Sequence, residues 1–201
     1  MNIFPAAGLT TLLAIQPVLA GAVTPGAQVR DSIDKILVIV NDPRLKTDSK
    51  ERRERIKAVI HERIDDTEMA KRSLGPEWRR RSPEEQKEFV KLFTELIESS
   101  YLATIESVEK VRFLKEQVDG NYAEVKTQVI DNKGLESAVD YRLHNVNGDW
   151  KVYDVVVDNL SLVNNYRTQF SRVLASYSYA ELIRRMKATA LNAAGELQAF
   201  R

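Results

Sequence analysis

The stretch "GDWKVYDVVVDNLSLVNNYRTQF" (148–170) decides the fold. It opens on Asn147-Gly148, a hairpin-turn dipeptide, and runs through an aromatic and β-branched segment, 149–157, that reads as a strand. It ends with Val163, Tyr166 and Phe170 at helical spacing, and Val173, Leu174 and Tyr177 extend the same face. No Gly-, Ser- or Pro-rich linker separates strand from helix, so sheet and helices belong to one domain.

Upstream of this junction the period is two. "VRFLKEQ" (111–117), "NYAEVKTQVI" (121–130) and "LESAVDYRLHNV" (135–146) read as strands, divided by Asp119-Gly120-Asn121 and Asp131-Asn132-Lys133-Gly134. Ala123, Val125, Thr127 and Val129 alternate with Glu124, Lys126 and Gln128, and Leu135, Ser137, Val139, Tyr141 and Leu143 alternate with Glu136, Asp140 and Arg142. Each strand therefore has one dry and one wet face. Turns this short make consecutive strands antiparallel neighbours. The expected fold class is α+β: a four-stranded antiparallel meander, with N- and C-terminal helices packed on its one dry face.

Before the strands the period is 3.6. Residues 25–45 place Val29, Ile33, Ile36, Leu37 and Val40 on one face and stop at Asn41-Asp42-Pro43. Residues 48–64 are a highly charged helix with a thin stripe of Ile56, Val59, Ile60 and Ile64. A short helix, 65–75, ends at Gly75-Pro76. Residues 82–105 are the plainest helix. Ser82 caps it, Pro83 sits at N1, Glu85 completes a capping box, and Phe89, Leu92, Phe93, Leu96, Ile97 and Tyr101 make a broad apolar face. A last helix carries Leu182, Ile183, Met186 and Leu191.

The chain has 201 residues, with 30 basic and 29 acidic side chains and a net charge of +1. That balance speaks against a nucleic-acid partner. There is no Cys, which excludes disulfides, thiolate metal sites and a Cys nucleophile. Residues 1–29 carry no charged side chain. "LTTLLAI" (9–15) is too short to span a bilayer, and Val18 and Ala20 suit the −3 and −1 positions of a signal-peptidase site. Residues 1–22 are therefore read as a signal peptide, cleaved after Ala20 or Ala22, although the segment lacks the usual Lys or Arg at its start. Residues 23–201 are read as a single exported domain.

No catalytic motif is present: no G-x-S-x-G, P-loop, H-E-x-x-H or dinucleotide fingerprint. His61 lies among charges on the second helix, and His144 near a strand end; both read as structural or surface residues rather than bases. Asp65, Asp66 and Glu68 cluster at a helix start, where acids suit the dipole better than they announce a metal. Arg79-Arg80-Arg81 reads as a solvated loop or a docking patch for acidic groups. Asp154, among Val152, Tyr153 and Val155, is the one acid in an apolar run and reads as a buried hydrogen-bond acceptor. Neither an enzyme nor a metal or cofactor site is expected.

Four pieces together resemble the MlaC, or toluene-tolerance, family. "EMAKRSLGPEWRRRSPEEQKEFVKLFTELIESSY" (68–101) looks like its M-A-x-x-x-L-G-x-x-W…S-P-E-x-Q…F…F…L…Y core, and "YAEVKTQV" (122–129), "VDYRLHNVNGDWKVYDVVV" (139–157) and "NLSLVNNYRTQF" (159–170) follow in the family's order. "IDDTEMA" stands where the family often has aromatic-Asp-aromatic, and Asn159-Leu160-Ser161 where it usually has Gly-Val-Ser. The resemblance implies a monomeric periplasmic carrier that holds a phospholipid as cargo. Its partners would be an inner-membrane ABC transporter with an MCE-domain ring and an outer-membrane lipoprotein complex, in a system maintaining outer-membrane lipid asymmetry. The alternatives are a hopanoid-associated paralogue, or a periplasmic adaptor with a solid core that binds only proteins. The resemblance further implies an apolar pocket enclosed between sheet and helices, and the dry faces name its lining: Met69, Phe89, Phe93, Ile97, Tyr101, Phe113, Val125, Val139, Tyr141, Val155, Val163, Tyr166, Phe170 and Leu174. Arg167 and Gln169 are expected to point away from it.

Overall fold

Every described α-helix starts on a hydroxyl or carboxylate that accepts an otherwise unpaired backbone N–H. In the computed structural model, which describes residues 23–191, the helices are α1 (Pro25–Asn41), α2 (Ser49–Arg63), α3 (Asp66–Leu74), α4 (Pro83–Glu106), α5 (Leu162–Ser176) and α6 (Tyr179–Leu191). Their caps are Thr24, Asp48, Asp65, Ser82, Ser161 and Ser178. The capping box on α4 is present in full: Ser82 Oγ accepts from Glu85 N, and Ser82 N donates to Glu85 Oε2 at 2.9 Å. The signal-peptide reading falls outside the described residues.

The sheet is antiparallel and its strands follow chain order: β1 (Val108–Asp119), β2 (Tyr122–Asp131), β3 (Glu136–Val146), β4 (Asp149–Val157) and β5 (Leu160–Ser161). It has five strands, not the four expected. Asp158 and Asn159 take positive φ (47° and 67°) and turn the chain back, so that Leu160 and Ser161 pair with Val157 and Val156 before α5 begins. Asp and Asn tolerate this left-handed backbone, but without the Gly that usually marks such a turn it escapes notice. Leu135 lies in the turn before β3 and is 67% exposed, so it does not share the dry face.

A bulge at Tyr153 reorganises β4. Leu143 faces Val152 and Tyr141 faces Val155, so both valines fall on the dry face. Asp154 and Val156 then lie on the other face, and both are buried. The start of α5 covers them. Asp154 accepts from Ser161 Oγ at 2.7 Å, Val163 N at 3.1 Å and Arg142 Nη1 at 3.0 Å. The lone acid of the opening stretch thus ties β3, β4, β5 and α5 together as a structural acceptor.

Apolar packing falls into two clusters. One joins α3, α4, α5 and α6 through Met69, Leu74, Phe89, Phe93, Tyr166, Phe170 and Met186. The other lays the first half of α1 on the sheet through Val29, Ile33, Val125, Leu143, Trp150 and Val152. Ile64, at the end of α2, packs against both.

Candidate functional site

The residues expected to line one pocket divide between these clusters. Met69, Phe89, Phe93, Val163, Tyr166 and Phe170 are core members of the helical one, with Ile97, Tyr101 and Leu174 on its margin. Phe89 and Phe93 stack at 6.1 Å; Phe170 meets Phe89 edge-on at 5.6 Å, and Tyr166 meets Phe93 edge-on at 5.4 Å. Tyr166 and Phe170 are 0% exposed, so no water-sized space touches either ring. Arg167 is exposed and donates through Nε to the Arg72 carbonyl at 2.8 Å, whereas Gln169 is half-buried.

Val125 belongs to the sheet cluster, with Phe113, Tyr141 and Val155 on its margin. Val139 is half-buried and lies beyond both clusters. Phe113 and Val125 also line an open depression of about 630 Å³ between the start of α1 and β1, where the Arg30 guanidinium sits 3.8 Å from the Phe113 ring centre. Arg30 therefore closes over this ring from the solvent side.

At and beyond the margins of the two clusters lie apolar side chains that neither fully buries. Ile97, Tyr101 and Ile105 of α4, Val59 and Ile60 of α2, and Val139, Tyr141 and Val155 of the sheet are all half-exposed. Burial pushes the Tyr101 and Tyr141 phenols up to about 12. Both rings nonetheless retain some accessible surface.

The second half of α1 was not among the expected lining residues. Ile36, Leu37, Val38, Ile39 and Val40 are five consecutive apolar residues, and none of them is buried; Val38 is 72% exposed. A surface helix needs only one apolar stripe, so a run that is apolar all round was the signal available in the sequence. Ile64 and Val111, which pack at the cluster margins, were missed as well.

The titratable residues singled out in the sequence are absorbed by structure. His61 bonds Asp66 through Nδ1 at 2.9 Å and Glu98 through Nε2 at 2.8 Å. His144 bonds Asp65 at 3.0 Å. Arg81 lies over the Tyr179 ring at 4.5 Å, and Glu77 pairs with both Arg80 and Arg81. Among the described residues no three His, Cys, Asp or Glu side chains gather as a metal site, and no helix is long and apolar enough to cross a membrane.

Comparison with known proteins fits this architecture. The chain is 24% identical over 191 residues to the intermembrane phospholipid transport system binding protein MlaC of Haemophilus influenzae, covering 90% of this chain and 89% of that one. A segment of 53 residues is 38% identical to the toluene tolerance protein ttg2D of Pseudomonas putida, covering 26% of this chain and 25% of the relative. The fold matches that of a phospholipid-binding protein from Ralstonia solanacearum, solved in complex with a phospholipid, with a TM-score of 0.76 and 24% identity over 85% of this chain and 98% of the other. The model of the MlaC protein family matches residues 30–188, and the chain therefore belongs to the MlaC family.

Proposed function

We propose that this protein is a periplasmic phospholipid carrier. It would take up a lipid by its acyl tails and pass it between an inner-membrane MCE-domain transporter and an outer-membrane lipoprotein complex. On this reading residues 1–22 are the export signal and 23–201 the carrier domain. The names of the relatives in Haemophilus influenzae and Ralstonia solanacearum support the cargo.

One observation carries the reading: apolar side chains rim two filled cores without being buried by either. Leu37, Ile97, Tyr101, Val139, Tyr141 and Val155 belong to that rim. Surface left half-wet forgoes roughly 25 cal/mol per Å² of apolar area, and acyl tails laid against it would recover that energy. The requirement on the cargo side is large. At ~0.8 kcal/mol per CH₂, two acyl chains hold a phospholipid in a bilayer by roughly 20 kcal/mol, so crossing water needs a dry carrier and no chemistry. Of the expected lining residues, Ile97, Tyr101, Val139, Tyr141 and Val155 would touch the tails, because they keep accessible apolar surface. Met69, Phe89, Phe93, Val163, Tyr166 and Phe170 make the rigid support behind them. The test is whether the purified chain retains a phospholipid, and against which residues its tails lie.

A further inference from the structure

The half of the α1–α2 hairpin nearest its connecting turn is attached differently from the rest of the protein. The hairpin's open end, where α1 starts and α2 stops, is fixed by a dense network. Arg63 Nη1 donates to the Gln28 side chain at 2.6 Å, to Asp149 at 2.8 Å and to the Trp150 carbonyl at 2.8 Å. Trp150 N donates to Gln28 Oε1 at 3.0 Å, and Asp65 N to the Val152 carbonyl at 2.9 Å. Among the described residues, the end that carries the turn makes no such hydrogen bonds to the sheet. Its buried apolar residues, Leu45 and Ile56, belong to neither core, and of Ile36–Val40, none of them buried, Leu37 alone packs against the sheet core.

Charge holds that end to α4. Arg52 and Arg53 both donate to Glu106, at 2.9 and 3.1 Å, and the Glu106 side chain is only 9% exposed. One turn and more further along, Lys57 and His61 reach Glu98 at 3.1 and 2.8 Å. Between the helices an open cleft of about 450 Å³ remains, lined by Arg53, Glu54, Lys57, Glu95, Glu98 and Leu102. Apolar packing between α2 and α4 would have closed such a seam. Arg53, Lys57 and His61 keep part of their side chains in water, so their pairs weaken with salt, while the more buried Arg52–Glu106 pair holds the closed form; such a clasp, unlike apolar packing, can open.

We infer that the α1–α2 hairpin is a flap, hinged at the Arg63 network and clasped to α4 by Glu106 and Glu98, and that acyl chains pass across the α2–α4 seam. This inference rests on the carrier reading. The hinge keeps the start of α1 on the sheet while the unburied Ile36–Val40 segment swings with the turn. Opening would further expose Val59 and Ile60 of α2 and Ile97, Tyr101 and Ile105 of α4, all partly exposed in the closed form.

The chain has no cysteine, so a pair can be introduced cleanly. The double variant Arg53→Cys/Glu106→Cys is joined with a short bismaleimide, and the control is the same variant capped with a monofunctional maleimide. Transfer of a fluorescent phospholipid between vesicles should be about tenfold slower for the joined form, equivalent to ~1.4 kcal/mol on the barrier. Glu106→Gln should speed transfer about threefold and reduce its salt dependence, the Glu98 pairs keeping the remainder. A lipid-independent readout comes from spin labels at Lys46 and Thr104, whose separation should lengthen or broaden in Glu106→Gln. Equal transfer by the joined and capped forms, or an unchanged label distance in Glu106→Gln, overturns the flap and leaves the carrier reading standing. If no form carries lipid although the labels report opening, the carrier reading falls and the portal falls with it.

Discussion

Replacing Phe170 by Ala separates a filled core from a cavity wall. The Phe170 ring is 0% exposed and meets Phe89 at 5.6 Å, Phe93 at 6.1 Å and Tyr166 at 5.7 Å. Deleting a ring from such a setting removes its transfer energy and leaves a void, together about 3–5 kcal/mol. Lost edge-on aromatic contacts belong within that range. For a domain of this size each kcal/mol shifts the melting point by about 2–4 °C, so a fall of roughly 6–20 °C is expected. Val155→Ala is the comparison. It removes two methyl groups from a side chain that is already half-exposed, and about 1 kcal/mol is expected. Both are measured by urea unfolding of delipidated protein, because bound lipid would add its own mass-action stabilisation. The slope of free energy against urea should stay constant across the variants. A cost below about 1 kcal/mol for Phe170→Ala would mean that its ring borders open space, and the division into support and contact residues would be wrong.

Two further outcomes follow from charged groups. Asp154→Ala leaves Ser161 Oγ and Val163 N as buried donors without their acceptor, at about 1–3 kcal/mol each, whereas Asp154→Asn keeps one acceptor oxygen and should lose about half as much in the same urea experiment. Equal, negligible losses would show that the junction is held by packing alone. His61 gives a pH signature: burial opposes its charge, but Asp66 and Glu98 outweigh burial and hold its pKa above the ordinary 6.5. Burial also raises Asp66 above 3.8. A His that binds its proton more tightly when folded contributes fully below about pH 6.5, and the contribution fades as pH rises through its folded-state value. The melting point should therefore fall as pH rises above about 6.5, and His61→Gln should flatten the fall; an identical slope in the variant would exclude His61 as its source.

Much of the fold was legible because local chemistry and tertiary structure agree. Ser82, Pro83 and Glu85 announce α4, and Gly120 and Gly148 take the positive φ their turns require. Asp158-Asn159 hides β5 because it makes the same kind of turn without Gly. The Tyr153 bulge is equally silent in sequence, and simple alternation would put Val152 and Val155 on opposite faces although they share one. The site was less legible for a different reason. Periodicity reports which face turns from water, not whether the space behind it is filled. Phe170 and Tyr141 give the same signal, yet one is sealed among aromatic rings and the other keeps accessible surface. The apolar run Ile36–Val40 carried more information than its helical stripe, since a helix packed on a filled core has no use for Val38 at 72% exposure.

The most direct measurement loads the protein with a phospholipid whose acyl tail carries a diazirine, irradiates it, and maps the adducts by mass spectrometry beside an intact-mass measurement of lipid retention. Retention of lipid through purification is expected, with adducts on Ile36–Val40, on the 97–105 segment of α4, and on Val139, Tyr141 and Val155. A protein that retains no phospholipid, or adducts confined to the wet face of the sheet at Glu124, Lys126 and Gln128, would contradict acyl-chain binding between the sheet and the helices.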